Sequence, residues 1–117
     1  MPRPVRIRGT ALVYTPASAY NPPLTLTEPG PPNLDAMTER ELRSFWHATY
    51  VGGWAVARFL FPDRPKNYVS ATRALGNYAS NKGTAMACRL RGAIQEATVY
   101  EGIADRIYDD LPDYARW

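Results

Sequence analysis

Apolar side chains recur at helical spacing from residue 38 onward. Thr38 followed three residues later by Glu41 is typical of a capping box, so we expect the first helix to begin near Thr38. One face of that helix carries Leu42, Phe45, Trp46, Thr49, Gly53, Val56 and Leu60, and the opposite side carries Val51, Trp54, Ala55 and Phe59. A helix that is apolar all round is buried on several sides. A chain this short has little material to surround it, so we predict that part of the helix faces another chain.

Two further helices are predicted after the turn that contains Pro62 and Pro65. The second should run from Lys66 or Ser70 to Arg91 and the third from Ala93 to about Leu111. The third has a narrow inward stripe formed by Ala93, Ala97, Tyr100, Ala104, Ile107 and Leu111. Since one turn at Gly92 separates these helices, they should form an antiparallel αα-hairpin. The predicted fold is mainly α, a compact three-helix domain.

Prolines divide the chain, because eight of the eleven precede Asp35. Proline removes a backbone donor and restricts its predecessor, so we expect residues 1–34 to form an extended Pro-rich N-terminal arm and 35–117 to form the helical domain. Two stretches of the arm have the pattern of short edge strands, one around Val5 and Ile7 and one at 11–14. Gly52 and Gly53, inside the first helix, predict a kink or a close approach of another backbone.

Composition narrows the function classes. The chain has 117 residues and 13.1 kDa, with one cysteine, Cys88, and one histidine, His47, which excludes a disulfide framework and disfavours a zinc site. The N-terminus lacks the pattern of a secretory signal, which favours a cytoplasmic protein. The longest apolar stretch, 45–61, contains His47 and Arg58 and is too short and too polar to predict a membrane span.

Charge is strongly segregated along the chain. Between residues 58 and 91 seven Lys or Arg accompany one acid, and between 93 and 113 six acids accompany one Arg. Folding the hairpin about Gly92 would bring Lys82 level with Glu101 and Asp105, and Arg73 level with 109–113. The two charge sets would then either pair within the hairpin or face different partners.

Small residues at the hairpin follow a recognisable spacing. Ala85, Gly92, Ala97 and Ala104 are separated by seven, five and seven residues, and Ile94 supplies an apolar position just after the turn. Over about 30 residues this resembles a tetratricopeptide-type helical hairpin. Cys88 and Tyr100 depart from its aromatic positions, and Pro112 comes late. The resemblance implies a closely packed αα-hairpin, with peptide binding as the function that such hairpins bring.

No catalytic constellation is visible. His47 is interpreted as a core-edge side chain, Cys88 as a buried thiol, and the acids of the third helix as a solvated face, so we predict neither enzyme activity nor a metal or cofactor. The preferred function is a small interaction or assembly subunit that binds a protein partner or a second copy. The predicted contacts lie on the arm, on the first helix and at residue 117, and they are Val5, Ile7, Leu12, Tyr14, Val51, Trp54, Phe59 and Trp117.

Nucleic acid is the alternative partner. The sequence pI is near 9.2, and the basic segment contains Tyr68 and Tyr78, whose rings could stack on bases. The phosphate contacts would be the cations of this segment, namely Arg64, Lys66, Arg73, Lys82, Arg89 and Arg91.

Overall fold

The structure is a computed structural model, which describes the backbone of residues 4–7, 11–14, 24–64 and 66–117 and the side chains of 26–64 and 66–117. It is mainly helical, as predicted. The three helices are α1 (Glu39–Leu60), α2 (Tyr68–Leu90) and α3 (Ile94–Asp110). Three short strands, β1 (Pro4–Ile7), β2 (Ala11–Tyr14) and β3 (Leu24–Leu26), form an antiparallel sheet in the order β1-β2-β3. Single turns of 3-10 helix occupy Leu34–Ala36 and Asp113–Ala115.

Local signals set the helix ends. The Thr38 hydroxyl accepts from the Glu41 amide at 3.2 Å, and the Glu41 carboxylate accepts from the Thr38 amide at 2.9 Å, which confirms the predicted capping box. At the end of α2, Gly92 adopts φ +80°. The Gly92 amide donates to Arg89 and the Ala93 amide to Cys88, so α2 ends in a Schellman motif that turns the chain into α3.

α1 and α2 cross closely at Gly76. A Cβ built on Gly76 would lie 3.0 Å from the Thr49 Cβ, and one built on Gly83 would lie 3.6 Å from the Leu42 Cβ. The two contacts are seven residues apart on each helix. Because the residue number rises from Gly76 to Gly83 on α2 while it falls from Thr49 to Leu42 on α1, the two helices are antiparallel. At Gly53 no other part of the described chain makes the close approach that the sequence allowed there, because a Cβ built on Gly53 would meet nothing within 4 Å.

The helices form a layer in which α1 and α3 each pack along α2. Its core includes six large apolar side chains with almost no exposure, Leu34, Leu42, Phe45, Val56, Leu60 and Leu75. Leu26 and Leu34, which the sequence analysis assigned to the arm, lie in this core, and the Gly30 amide donates to the Leu60 carbonyl at 2.6 Å. The segment 26–37 therefore covers the helices, and the helical unit begins before Asp35.

Asp35 joins three parts of the chain. Its carboxylate accepts from the Tyr78 hydroxyl at 2.6 Å and from the Trp117 indole at 3.0 Å, and the Lys82 ammonium lies 3.8 Å away. The Trp117 ring packs edge-on against Tyr78 and Tyr108, with ring centroids 4.7 Å apart in each pair. These contacts hold the segment after α3 against the segment before α1. Among the described residues, no helix has the length and apolar character needed to cross a bilayer.

Candidate interaction surface

A groove between α1 and α2 is lined by aromatic and polar side chains. Its volume is about 460 Å³, and its walls are Trp46, Thr49, Tyr50, Gly53 and Trp54 of α1 with Val69, Arg73 and Asn77 of α2. We call it the aromatic groove. Arg73 and Asn77 are exposed and stand on a different side of α2 from Tyr78 and Lys82, which contact Asp35. The groove is therefore on the side of the layer that the segment 26–37 leaves open.

The aromatic residues of α1 are spaced so that they share one side of the helix. Trp46, Tyr50 and Trp54 follow one another at four-residue intervals, which brings them to adjacent turns. Trp46 and Tyr50 stack with ring centroids 5.8 Å apart, and the Trp54 ring lies 5.6 Å from Tyr68. Tyr50 is nevertheless 77% exposed and Trp54 61% exposed. Such rings offer a large apolar area that a partner can cover.

The charged side chains in and beside the aromatic groove are basic. α2 contains no Asp or Glu, and α1 contains none after Glu41. Arg73 lies in the groove and Arg58 stands one turn beyond Trp54, and both are exposed. Among the described residues, neither forms a salt bridge. The groove can therefore accept an apolar side chain accompanied by a carboxylate.

α3 presents a second exposed apolar surface that sequence reasoning missed. Val99 is 60% exposed and Ile103 39% exposed, with Glu96 and Asp110 exposed on the same side of the helix. We call the residues Glu96, Val99, Ile103, Arg106 and Asp110 the α3 stripe, whose charges are mixed because the exposed Arg106 lies between Ile103 and Asp110. Leu90 and Ile94 are also exposed, at the end of the hairpin. The signal was present in the sequence, because the inward stripe of α3 is narrow and leaves Val99 and Ile103 outside it.

A second groove, of about 540 Å³, lies between α2 and α3. Its lining includes Lys66, Ala74, Ile107 and Tyr114. The Arg64 guanidinium stands 4.7 Å above the Tyr114 ring, whose buried hydroxyl has no hydrogen-bond partner among the described residues. Lys66 and Asp110 both border this groove, so its charge is mixed rather than one-sided.

The predicted protein contacts divide into three groups. Trp54 is exposed and Val51 partly exposed, as a contact requires. Phe59 is only 7% exposed and belongs to the core, and Trp117 is engaged with Tyr78 and Tyr108, so neither contributes to the aromatic groove. The side chains of the predicted arm contacts Val5, Ile7, Leu12 and Tyr14 lie outside the described residues.

The predicted cations do not form one patch. Arg89 binds Glu101 through two hydrogen bonds of 2.6 and 2.7 Å, which lower the pKa of Glu101, whereas Lys82 pairs with Asp35 rather than with Glu101 or Asp105. Arg73 borders the groove beside α1 rather than facing the acids at 109–113, although its neighbour Ala74 borders the same groove as Asp110 and Leu111. The remaining members are Arg64 over Tyr114, Lys66 in the second groove, and Arg91, whose guanidinium lies 3.3 Å from the Cys88 Sγ.

Within the described part of the chain no group of His, Cys, Asp and Glu is arranged to hold a metal ion. Cys88 is buried in the hairpin, and His47 is partly exposed on α1. Comparison of the chain with protein-family models, curated proteins and solved structures found no match. The functional argument therefore rests on the exposed surfaces.

Proposed function

We propose that this chain is a small interaction subunit that binds a protein partner in the aromatic groove. The exposure of Tyr50 and Trp54 beside Arg73 carries the proposal, since all three line one groove and none of the described residues that line it is acidic. The partner would place an apolar side chain against the two rings and a carboxylate at Arg73. From the sequence, the first helix is expected to contact a partner through Val51, Trp54 and Phe59, and of these three Trp54 lines the groove.

The energetics favour binding at this position over the other exposed apolar residues. Covering apolar surface contributes roughly 25 cal/mol per Å², and Trp, Tyr and Arg are the side chains most often found as binding hot spots, at about 2 kcal/mol or more each. The groove brings all three residue types together, as Trp46, Trp54, Tyr50 and Arg73. An exposed leucine such as Leu90 offers less apolar area than the two rings of the groove.

Nucleic-acid binding has less support. Two of its six predicted contacts, Lys82 and Arg89, already bind carboxylates of this chain. Arg73 stands in the groove among aromatic side chains, apart from these two. Phosphate binding depends on many cations acting together, so a divided set weakens this alternative.

The test compares two alanine variants of the full chain. Trp54→Ala removes a side chain of the groove, and Leu90→Ala removes an apolar side chain that is 86% exposed outside the groove, at the end of the hairpin. Tagged wild type and both variants are purified from the native source together with the proteins that bind them. A protein that is lost selectively with Trp54→Ala is then produced and titrated against all three by calorimetry. We expect Trp54→Ala to weaken its binding by about thirtyfold and Leu90→Ala to leave it unchanged. Equal binding by the three proteins contradicts the proposal.

A further inference from the structure

We propose that α3 is a self-association surface, through which two copies of this chain form an antiparallel, two-fold symmetric dimer. The contact joins the α3 stripe of one copy to the α3 stripe of the other. It goes beyond the proposed binding in the aromatic groove and uses a different helix. The order of charged and apolar residues along the stripe carries the inference.

The spacing of the α3 stripe is that of a seam between two helices. Its members, at positions 96, 99, 103, 106 and 110, follow one another at intervals of three, four, three and four residues. The core positions of a coiled coil repeat in the same way, so a second helix can pack along the stripe. The residues that flank the seam are Gln95, Tyr100, Gly102 and Ile107, and none of them is charged.

The stripe is complementary to itself when one copy is reversed. The pairs 96 with 106 and 99 with 103 are both centred on position 101. In an antiparallel dimer whose two-fold axis lies level with that position, Val99 of one copy therefore faces Ile103 of the other, and Glu96 faces Arg106. Each contact occurs twice, as a two-fold interface requires. A parallel pair would oppose Glu96 to Glu96 and Arg106 to Arg106, and like charges at an interface are costly.

The charges that would pair across the dimer are available for pairing. Glu96 and Arg106 are exposed, and among the described residues neither forms a salt bridge. Asp110, at the end of the stripe, falls opposite residues 91–93 of the second copy. No acid occurs between positions 88 and 95, so Asp110 meets no like charge there.

The other acids of α3 lie away from the seam. Glu101 binds Arg89 within the hairpin, and Asp105 and Asp109 border a cavity on another side of the helix. These carboxylates account for most of the negative charge of α3. The stripe itself therefore offers a second copy two apolar side chains between an acid and a base.

Gly102 is consistent with the close approach of a second helix. It is exposed in the middle of α3, where glycine is unfavourable relative to alanine. A Cβ built on Gly102 would meet nothing within 4 Å, so no contact within the described chain requires a glycine. It stands beside Ile103 at the level of the two-fold axis, where the absence of a side chain leaves room for another backbone.

Sedimentation equilibrium of the full chain measures the association. The seam is short, so we expect a weak dimer with a Kd of about 10–100 µM. The average mass should rise with concentration from 13.1 kDa toward twice that value and no further, because a two-fold contact is closed. Val99→Asp places a charge in the middle of the seam and should stay at 13.1 kDa, with circular dichroism to check its fold.

Charge reversal tests the pairing of Glu96 with Arg106. Glu96→Arg places a cation opposite Arg106, and Arg106→Glu places an acid opposite Glu96, so each variant alone should dimerise about tenfold more weakly than wild type. In an equimolar mixture a basic stripe faces an acidic one, and the affinity of wild type should return as a heterodimer. Asp109→Arg, which changes the net charge equally outside the stripe, should dimerise like wild type.

Cysteine cross-linking tests the direction of the helices. With a rise of 1.5 Å per residue, positions 96 of the two copies are about 15 Å apart along an antiparallel pair, whereas position 96 of one copy is level with 106 of the other. Oxidation should therefore cross-link a mixture of Glu96→Cys and Arg106→Cys but neither variant alone. The native Cys88 is buried, and wild type serves as the control.

Four results would overturn the proposal. They are wild type that stays at 13.1 kDa up to about 1 mM, a charge-reversal mixture that dimerises no better than its components, Glu96→Cys that cross-links to itself, and Trp54→Ala that fails to dimerise. The last result would assign self-association to the aromatic groove. The calorimetric titration of Trp54→Ala with the partner of the groove is independent of all four, so the two proposals can fail separately.

Discussion

Trp117 donates its indole N–H to the Asp35 carboxylate at 3.0 Å, across 82 positions of sequence. Tyr78 donates to the other oxygen of the same carboxylate. Burial acts to raise the pKa of Asp35, but the hydrogen bonds from Tyr78 and Trp117, with Lys82 nearby, outweigh it and hold that pKa below its ordinary value. The ionised carboxylate therefore connects α2, the segment before α1 and the segment after α3.

Acidification should weaken this connection. A carboxylate whose pKa is lower in the folded chain stabilises it above the unfolded pKa, about 3.9 for Asp, and loses that contribution as pH falls through the folded pKa. We expect Asp35→Asn to lower the free energy of unfolding at pH 7, with a difference from wild type that shrinks below about pH 4. Urea unfolding at pH 7, 5 and 3 measures it.

Asp63→Asn is the matched control, since Asp63 is an exposed carboxylate in the loop after α1. Its curve should follow that of wild type at all three pH values. A difference between Asp35→Asn and wild type that is constant or grows on acidification would contradict the assignment.

The crossing of α1 and α2 should tolerate no side chain at Gly76. Gly76→Ala places a Cβ against Thr49, and overpacking of this kind costs about 1–3 kcal/mol. Gly53→Ala places a methyl group in open space within a helix and should stabilise the fold by about 0.5–1 kcal/mol. Thermal unfolding of the two variants shows whether Gly76→Ala lowers the unfolding midpoint and Gly53→Ala raises it. Thr49→Ala combined with Gly76→Ala should recover part of the loss, and two variants of equal stability would disprove the close approach.

Asn67 has a left-handed backbone, with φ +65° at the start of α2. Residues other than glycine and asparagine pay about 1–2 kcal/mol in this conformation. Asn67→Ala should therefore destabilise the fold by about 1 kcal/mol, whereas Asn67→Gly should keep its stability. Chemical denaturation of both variants distinguishes a backbone effect from loss of the amide side chain, because in the latter case both variants would lose stability equally.

Phe59 and Trp54 should respond differently to truncation. Phe59 is buried, so Phe59→Ala should cost about 3–5 kcal/mol of folding free energy. Trp54 is largely exposed, and Trp54→Ala should change the midpoint of unfolding little while it weakens binding of the partner in the groove. Denaturation midpoints and calorimetric titration with that partner, on the same samples, separate the effects. A large stability loss in Trp54→Ala would place that ring in the core.

Sequence predicted best what is decided within a few residues. The capping box at Thr38 and the turn at Gly92 each depend on hydrogen bonds between near neighbours, so local chemistry specifies them. The sequence treated Trp54 and Phe59 alike, whereas the structure exposes Trp54 and buries Phe59. Both lie on the side of α1 opposite its main apolar face, and only the packed structure decides which part of that side is covered.

Long-range pairings were beyond the sequence. The contact of Gly76 with Thr49 and the binding of Asp35 to Trp117 depend on how whole helices align. The charge pattern left open whether the two charge sets pair within the hairpin or face different partners. In the structure Arg89 binds Glu101, whereas Lys82 lies beside Asp35 of the segment before α1.

The contact at Gly76 also determines what kind of receptor the aromatic groove can be. Thr49 belongs both to the crossing and to the groove, so the spacing of the two walls is already set in the free protein. A groove whose walls cannot move apart selects a ligand by its width, and it loses little conformational entropy on binding. Segments wider than the groove would therefore not bind, even with suitable apolar and charged groups.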